Sequence, residues 1–285
     1  MKIISEVSRE LEVHGIESAK VNAEVMLSSL LGCERVDLYA GDMTMPDTYS
    51  KHLNDMVSRR IAGEPLQYIT GRSDFYGNEF LAEPGVFIPR PETEVLVEAV
   101  LDLLKTYDMR HTTYKTSILD LCTGTGNIAI SLAKLLAHCK IVGSDISVKA
   151  VDLAMRNAKL HNVLSRVEFI RADLFDAPMI GRGLFDIIVS NPPYIAREGI
   201  RALPSDVKKE PQEALDGGRD GLYFYRRITE ESPRFLKKGG ILAFELGDDM
   251  CEEVEGLLTR SGSFKEIRIR KDLNNIERVI TALRN

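Results

Sequence analysis

The residues of this chain best suited to chemistry lie at positions 190–195, which read Ser-Asn-Pro-Pro-Tyr-Ile and follow an apolar run. The side-chain oxygen of Asn191 can accept one N–H from a planar amide or amine, and a proline carbonyl can accept another. Pro192 and Pro193 fix φ and lack an N–H, so they hold these acceptors in a stiff, extended loop. Tyr194 adds a flat face for stacking. This arrangement suits methyl transfer to a weakly nucleophilic sp2 nitrogen, in a glutamine amide or a base amine.

The same tetrapeptide also fits a plain turn at a strand end, so the chemistry needs a cofactor site elsewhere. Positions 118–121 form a short apolar strand, 122–127 a glycine-bearing turn, and the following residues a helical pattern. The glycine spacing fits neither a dinucleotide fingerprint nor a phosphate loop. Its D-x-x-x-G-x-G pattern is the one that S-adenosylmethionine enzymes use around the methionine moiety. The candidate residues are Asp120, Cys122, Thr123, Gly124, Thr125 and Gly126.

Two further acids follow the next predicted strands. Asp145 ends the apolar strand at 140–145, where a carboxylate can accept both ribose hydroxyls of a nucleoside. Asp173 follows a third strand and can accept the adenine amino group. Each acid alone also fits a helix cap or a solvated turn. Three acids at three successive strand ends favour a shared ligand site.

Strands and helices alternate from residue 117 onward, and a pair of strands closes the chain. This order predicts an α/β fold with a doubly wound, mostly parallel sheet and one antiparallel strand. Residues 1–72 show helical apolar stripes and are interpreted as a small bundle for recognition or docking, or as a structural cap. Residues 73–90 are predicted to form a β-hairpin linker, with arms around 75–80 and 86–88. Residues 91–285 then form the catalytic domain.

The composition weighs against several classes of function. The chain has 285 residues and a formal charge of −6, which argues against an affinity that rests on neutralising many phosphates. The four cysteines lack C-x-x-C spacing and the five histidines form no ligand cluster, so we expect no metal site. We also expect no membrane contact and no direct nucleic-acid binding. The N-terminus does not resemble a signal peptide, so a cytoplasmic location is expected.

Arg90 lies between two prolines, just after the aromatic Phe87. A plain helix start explains Pro91 and the glutamates that follow, but it gives no reason for an arginine in this rigid position. Phe87 and Arg90 are therefore candidate substrate contacts, together with Asn191.

Five segments together resemble the PrmC/HemK protein-(glutamine-N5) methyltransferases. They are D-L-C-T-G-T-G-N at 120–127, S-N-P-P-Y-I at 190–195, G-E-P-L-Q-Y-I-T-G at 63–71, F-I-P-R-P-E-T-E at 87–94 and E-P-Q-E-A-L-D-G-G-R-D-G-L at 210–222. The resemblance implies a Rossmann-like seven-stranded methyltransferase domain that binds S-adenosylmethionine. It also implies methylation of the glutamine in the Gly-Gly-Gln loop of class-I peptide-chain release factors, with the N-terminal bundle helping to hold the factor.

The chain departs from this family pattern at two positions. Cys122 replaces the usual glycine, and a Cβ there is expected to require a negative φ or a small shift of the loop, with cofactor binding retained. Leu174 stands where relatives often carry an aromatic, so the predicted adenine packing is aliphatic.

Three other functions remain open from the residues. A DNA adenine-N6 methyltransferase shares the Asn-Pro-Pro-Tyr chemistry on a flipped base, but it normally needs a basic channel. Methylation of a glutamine in a ribosomal protein is a second alternative. A non-catalytic S-adenosylmethionine-binding assembly factor is a third, and the intact substrate tetrapeptide disfavours it.

Overall fold

The computed structural model describes residues 2–40, 47–106, 116–182 and 184–285. The chain separates into two compact units. The first comprises Met1–Arg72, Ala82–Pro84 and Leu203–Lys209, and the second comprises Ser73–Leu81, Gly85–Ala202 and Glu210–Asn285.

The first unit is helical, as its apolar periodicity predicts. Ile4, Val7 and Leu11 lie one turn apart along the first helix and are buried against the second, where Met26 and Leu27 face them. Gly32 ends the second helix in the left-handed conformation that favours glycine. The helices are α1 Lys2–Val13, α2 Ala19–Leu31, α3 Asp47–Ile61 and α4 Leu66–Thr70.

A hairpin that is tighter than predicted follows the helices in the sequence. Its strands are β1 Arg72–Phe75 and β2 Asn78–Leu81. Tyr76 and Gly77 both have positive φ, as the favoured two-residue hairpin turns require, so the hairpin closes locally. The predicted second arm at 86–88 is wrong, because those residues belong to no strand.

A seven-stranded sheet forms the centre of the second unit. Its strands are β3 Thr116–Leu121, β4 Cys139–Asp145, β5 Val167–Arg171, β6 Phe185–Ser190, β7 Leu236–Glu245, β8 Phe264–Lys271 and β9 Glu277–Arg284. The accompanying helices are α5 Glu94–Thr106, α6 Asn127–Leu135, α7 Val148–Leu160, α8 Tyr223–Glu231 and α9 Cys251–Arg260. None of the helices in the described ranges is long and apolar enough to cross a membrane.

The strand order is β5-β4-β3-β6-β7-β9-β8, and β9 runs antiparallel to both of its neighbours, β7 and β8. This confirms the predicted doubly wound sheet with one antiparallel strand. Successive side chains point to opposite faces, so Ile118 and Ile187 enter one apolar core while Leu119 and Ile188 enter the other. Helices cover both cores, so polar residues of the sheet are expected at the strand ends, where ligands bind in sheets of this kind.

The parallel register aligns the ends of the central strands. Leu121 pairs with Ser144 of β4 on one side and with Ser190 of β6 on the other. The residues that follow these positions, including Asp145 and Asn191, therefore lie along one edge of the sheet.

Gly143 in β4 provides a test of how closely this edge is packed. A Cβ on Gly143 would come within 2.5 Å of the Phe169 ring and 2.9 Å of Thr123 Oγ1. We expect Gly143→Ala to lower the free energy of unfolding by about 1–3 kcal/mol, because overpacking forces neighbours to shift. Urea unfolding measures this change. Gly181→Ala is the matched control, because a Cβ there meets nothing within 4 Å, and an equal loss in both variants would contradict the packing argument.

Candidate active site

The glycine-bearing turn joins β3 to α6 and leaves space beside its backbone. Gly124 has φ 55 and Gly126 has φ 80, both in the left-handed region. A Cβ on Gly126 would come within 2.9 Å of Phe169 Cζ, so packing requires glycine there. A Cβ on Gly124 would meet no atom within 4 Å. The two glycines therefore have different roles. Gly126 allows the start of α6 to pack closely against Phe169, and Gly124 leaves its backbone accessible to a ligand.

Asp120 lies fully buried beneath this turn. Its Oδ2 accepts a hydrogen bond of 2.6 Å from the Thr123 hydroxyl. Its Oδ1 is buried and receives no hydrogen bond from any residue in the described ranges. Burial, with a smaller contribution from the nearby Asp145, raises the pKa of Asp120 to about 7. An unsatisfied buried acceptor is costly, so Oδ1 is a natural place for a donor on a bound ligand.

Asp145 is held against the same turn by backbone donors. Its Oδ2 accepts the Gly124 N–H at 2.9 Å, and its Oδ1 accepts the Ser147 N–H at 2.9 Å. Burial raises the pKa of Asp145, and these two backbone hydrogen bonds oppose that rise. A carboxylate has about four acceptor positions, so both oxygens can still receive hydroxyl groups.

Cys122 corrects the expectation that a side chain here needs a negative φ. It has φ 59, the left-handed conformation, which costs a non-glycine residue about 1–2 kcal/mol. The adjacent Thr123 N–H donates to the Ser144 carbonyl at 3.0 Å and so fixes the turn. The Cys122 side chain packs against the core, and burial raises the pKa of its thiol. The turn therefore keeps a glycine-like backbone although glycine is absent.

Asp173 and Leu174 follow β5 at the same edge, and each has a partner within the protein. Asp173 Oδ1 accepts a 2.8 Å bond from Arg227. Leu174 is buried in the core, and its carbonyl accepts from the Ser144 hydroxyl at 3.4 Å. The roles of Asp173 and Leu174 at the adenine stay predictions.

The Asn-Pro-Pro-Tyr loop begins where β6 ends. The Ser190 hydroxyl donates to the Leu121 carbonyl at 2.9 Å, which ties the start of the loop to β3. Asn191 Nδ2 donates to Thr93 Oγ1 at 3.2 Å. Sequence reasoning missed Thr93, although it belongs to the 87–94 segment that was singled out for Arg90. Pro192 and Pro193 are buried, so the loop is stiff as predicted from its prolines.

The backbone of the 210–222 segment forms hydrogen bonds with Ile195, the residue that follows the Asn-Pro-Pro-Tyr tetrapeptide. Ile195 N–H donates to the Leu215 carbonyl at 3.0 Å, and Gly217 N–H donates to the Ile195 carbonyl at 2.9 Å. A Cβ on Gly221 would come within 2.4 Å of the Tyr194 carbonyl oxygen. These close contacts fix the backbone at Tyr194. Burial raises the pKa of the Tyr194 phenol.

Arg90 is engaged within the protein. Its guanidinium forms an ion pair with the buried Glu210 and lies 4.7 Å from the centre of the Phe87 ring. Glu210 Oε2 also accepts the Ile88 N–H at 3.0 Å. These bonds provide a structural reason for an arginine between two prolines, and substrate contact by Phe87 and Arg90 stays a prediction.

Glu245 is a second buried carboxyl that sequence reasoning missed. It ends β7, one position after the residue that pairs with Ser190. It is almost fully buried, its Oε2 receives no hydrogen bond from the described residues, and burial raises its pKa to about 7. The sequence feature that could have identified Glu245 is its position at a strand end, which it shares with Asp120, Asp145 and Asn191.

The strand edge fits S-adenosylmethionine on three observations. Asp120 offers an unsatisfied acceptor, Gly124 leaves open space beside its backbone, and Asp145 presents a carboxylate next to both. Among the residues that the structure describes, no group of three or more His, Cys, Asp or Glu side chains is arranged to hold a metal.

Asp120 should make the stability of the cofactor-free protein depend on pH. Its pKa is about 7 in the folded protein against 3.8 for an ordinary aspartate. Between these values the folded state binds more protons than the unfolded chain, so the free energy of unfolding falls as pH rises. When the pH rises from 6 to 8, the free energy of unfolding of Asp120→Asn should therefore fall by about 1 kcal/mol less than that of the wild type. Urea unfolding of both proteins at pH 6 and at pH 8 tests this prediction. An equal fall in the free energy of unfolding of the two proteins would contradict it.

Comparison with known proteins matches both parts of the chain to family models. Residues 2–71 match a family model described as the PrmC N-terminal domain, and residues 113–275 match a methyltransferase domain. The hMettl16 catalytic domain in complex with a 3'UTR hairpin superposes with a TM-score of 0.57 at 14% identity, covering 85% of this chain and 84% of that one. A methyltransferase from Pyrococcus furiosus gives a TM-score of 0.51 at 17% identity, covering 82% and 98%. At these identities the likeness shows the fold alone.

Curated relatives are much closer in sequence. A release factor glutamine methyltransferase from Geobacter sulfurreducens is 40% identical over 281 residues, which is 98% of this chain and 94% of that protein. A protein of the same name from Clostridium acetobutylicum is 40% identical over 265 residues, covering 92% and 90%. With near-complete coverage at this identity, the chain belongs to the release factor glutamine methyltransferase family.

Proposed function

We propose that this protein transfers a methyl group from S-adenosylmethionine to the side-chain amide nitrogen of the glutamine in the Gly-Gly-Gln motif of class-I peptide-chain release factors. The observation that carries the proposal is the shared strand edge. Asn191 follows β6 directly, Asp120 lies near the end of the neighbouring strand β3, and Asp145 ends β4, the next strand beyond β3. An acceptor for a planar amide thus lies beside the residues that suit the cofactor.

The cofactor would be held by Asp120, the backbone of residues 122–126 and Asp145, and when bound it supplies an electrophilic methyl group. The amide nitrogen of glutamine is a poor nucleophile because its lone pair is delocalised into the carbonyl. Asn191 Oδ1 and the Pro192 carbonyl accept its two N–H groups, which polarises the nitrogen and aims it. Tyr194 lies beside the amide plane. Positioning of this kind can contribute roughly 7–11 kcal/mol to lowering a barrier.

The helical first unit is proposed to dock the release factor. Its buried carboxyl, Glu24, is engaged by Arg35 and Tyr39 within the unit, which suits a structural role for these groups and recognition rather than chemistry for the unit. We expect a cytoplasmic location, because the proposed substrate works in translation, and neither membrane nor nucleic acid takes part in the proposed reaction.

The test is transfer of labelled methyl from S-adenosylmethionine to three substrates. These are purified release factor, its Gln→Ala loop mutant and unmethylated duplex DNA, with purified ribosomal proteins as a further sample. We expect label on the release factor and none on its loop mutant. Label on DNA alone, or on a ribosomal protein alone, would overturn the proposed substrate and leave only the planar-nitrogen chemistry.

Two variants separate amide positioning from cofactor binding. Asn191→Ala should lower kcat by about 10²–10³, as loss of one preorganised hydrogen-bonding group does elsewhere. Asp145→Ala should instead weaken cofactor binding, which calorimetry measures directly. Near wild-type turnover in Asn191→Ala would show that the amide is positioned by other groups, and unchanged affinity in Asp145→Ala would remove Asp145 from the site.

A further inference from the structure

Asn157 of α7 is a buried polar residue that contacts two segments distant from it in sequence. Its side chain is fully buried. The other buried residues of this helix are apolar, namely Ala150, Val151, Leu153, Ala154 and Ala158. Asparagine is unfavourable inside a helix, and burying its amide is costly unless the polar groups find partners. The partners of Asn157 therefore indicate why α7 carries an amide at this position.

One partner of Asn157 is the glycine-bearing turn between β3 and α6. Asn157 Nδ2 donates to the Thr125 carbonyl at 3.0 Å. Thr125 is buried, and it lies between Gly124 and Gly126, which both have positive φ. A Cβ on Gly126 would come within 3.1 Å of the Ala154 Cβ, so α7 runs close beside the turn. Asn157 thus fixes the direction of the carbonyl at the middle of the turn.

The second partner of Asn157 is the end of the β1–β2 hairpin. Asn157 Oδ1 accepts the Leu81 N–H at 2.8 Å, and Asn157 Nδ2 donates to the Leu81 carbonyl at 3.3 Å. The amide has two N–H groups, so one can bind the Leu81 carbonyl while the other binds the Thr125 carbonyl. One side chain therefore joins the hairpin to the glycine turn through three hydrogen bonds.

We propose that Asn157 is a positioning residue that sets the shape of the glycine turn and couples it to the hairpin, so that cofactor binding at the turn also stabilises the end of β2. This inference rests on the proposed placement of S-adenosylmethionine at residues 122–126. Glycines leave the peptide groups of a turn free to rotate, and rotation would exchange the N–H and carbonyl groups that face the ligand. The bond from Asn157 opposes that rotation at Thr125, while Asp145 accepts the Gly124 N–H at 2.9 Å.

His161 shows that holding the hairpin does not by itself require a contact with the turn. It lies one helical turn after Asn157, and its Nε2 hydrogen-bonds to the Glu79 carbonyl at 2.9 Å. Its ring also packs against the Phe80 ring, with 4.8 Å between the two centroids. Among the residues that the structure describes, none of its hydrogen bonds reaches the glycine turn. His161 contacts the hairpin alone, which makes it the matched control for Asn157.

The first experiment measures the affinity of the full-length protein for S-adenosylmethionine by calorimetry. It compares Asn157→Leu, which keeps a branched side chain and removes all three hydrogen bonds, with His161→Leu. We expect Asn157→Leu to raise the Kd roughly tenfold to a hundredfold, as loss of groups that orient ligating residues does at metal sites. His161→Leu should leave the Kd unchanged, because it loosens the hairpin without touching the turn.

Hydrogen exchange measures the coupling in the wild type, so this second test does not depend on a variant that folds. Saturating S-adenosylmethionine should slow amide exchange at residues 122–127 and also at residues 78–81. Helix α9, whose neighbours are α8, β8 and β9, reports any stabilisation of the whole domain. The slowing at 78–81 should exceed that in α9. This excess should disappear in Asn157→Leu at saturating cofactor and persist in His161→Leu.

Three results would overturn the proposal. They are an unchanged Kd in Asn157→Leu, an equal rise in Kd in His161→Leu, and a wild type in which the cofactor slows exchange at 122–127 but slows it no more at 78–81 than in α9. Asp145→Ala distinguishes this failure from a failure of the proposed function. If Asp145→Ala loses affinity while Asn157→Leu keeps it, only the inference about Asn157 fails. If neither variant loses affinity, the proposed placement of the cofactor fails as well.

Discussion

The parallel register of β3 with β4 and β6 is the constraint on which the site depends. Leu121 pairs with Ser144 and with Ser190, so the three strands end at the same level. A slip of one residue would exchange the two faces of a strand and bury polar groups in the apolar cores. The cores therefore enforce the register, and the register brings Asp145 and Asn191 to one edge. Packing far from the chemistry thus fixes the distance between the cofactor residues and the substrate residues.

This edge also concentrates features that cost stability. Asp120 and Glu245 are buried carboxyls with raised pKa values, and Cys122 holds a left-handed backbone conformation. Each feature is unfavourable for folding alone, and their clustering is typical of functional sites. The apolar cores above and below the sheet supply the stability that tolerates them. The same dry surroundings strengthen the hydrogen bond between Asn191 and Thr93.

Close backbone packing gives the loop its rigidity. Gly217 and Gly221 lie so near the backbone of Tyr194 that no side chain fits at either position. This explains why the 210–222 segment, distant in sequence from the tetrapeptide, accompanies it as a recognisable motif. Glu210 at the start of that segment also pairs with Arg90, so one segment supports both the Asn-Pro-Pro-Tyr loop and the 87–94 segment.

The sequence by itself determined the alternating strands and helices, the polar residues at the strand ends and the family, because apolar periodicity and short motifs are local. It wrongly predicted a strand at 86–88, because the hairpin already closes at the tight turn of Tyr76 and Gly77. Nor did it identify Thr93 as the partner of Asn191. Thr93 and Asn191 are 98 positions apart, and only tertiary packing decides which distant side chains share a hydrogen bond.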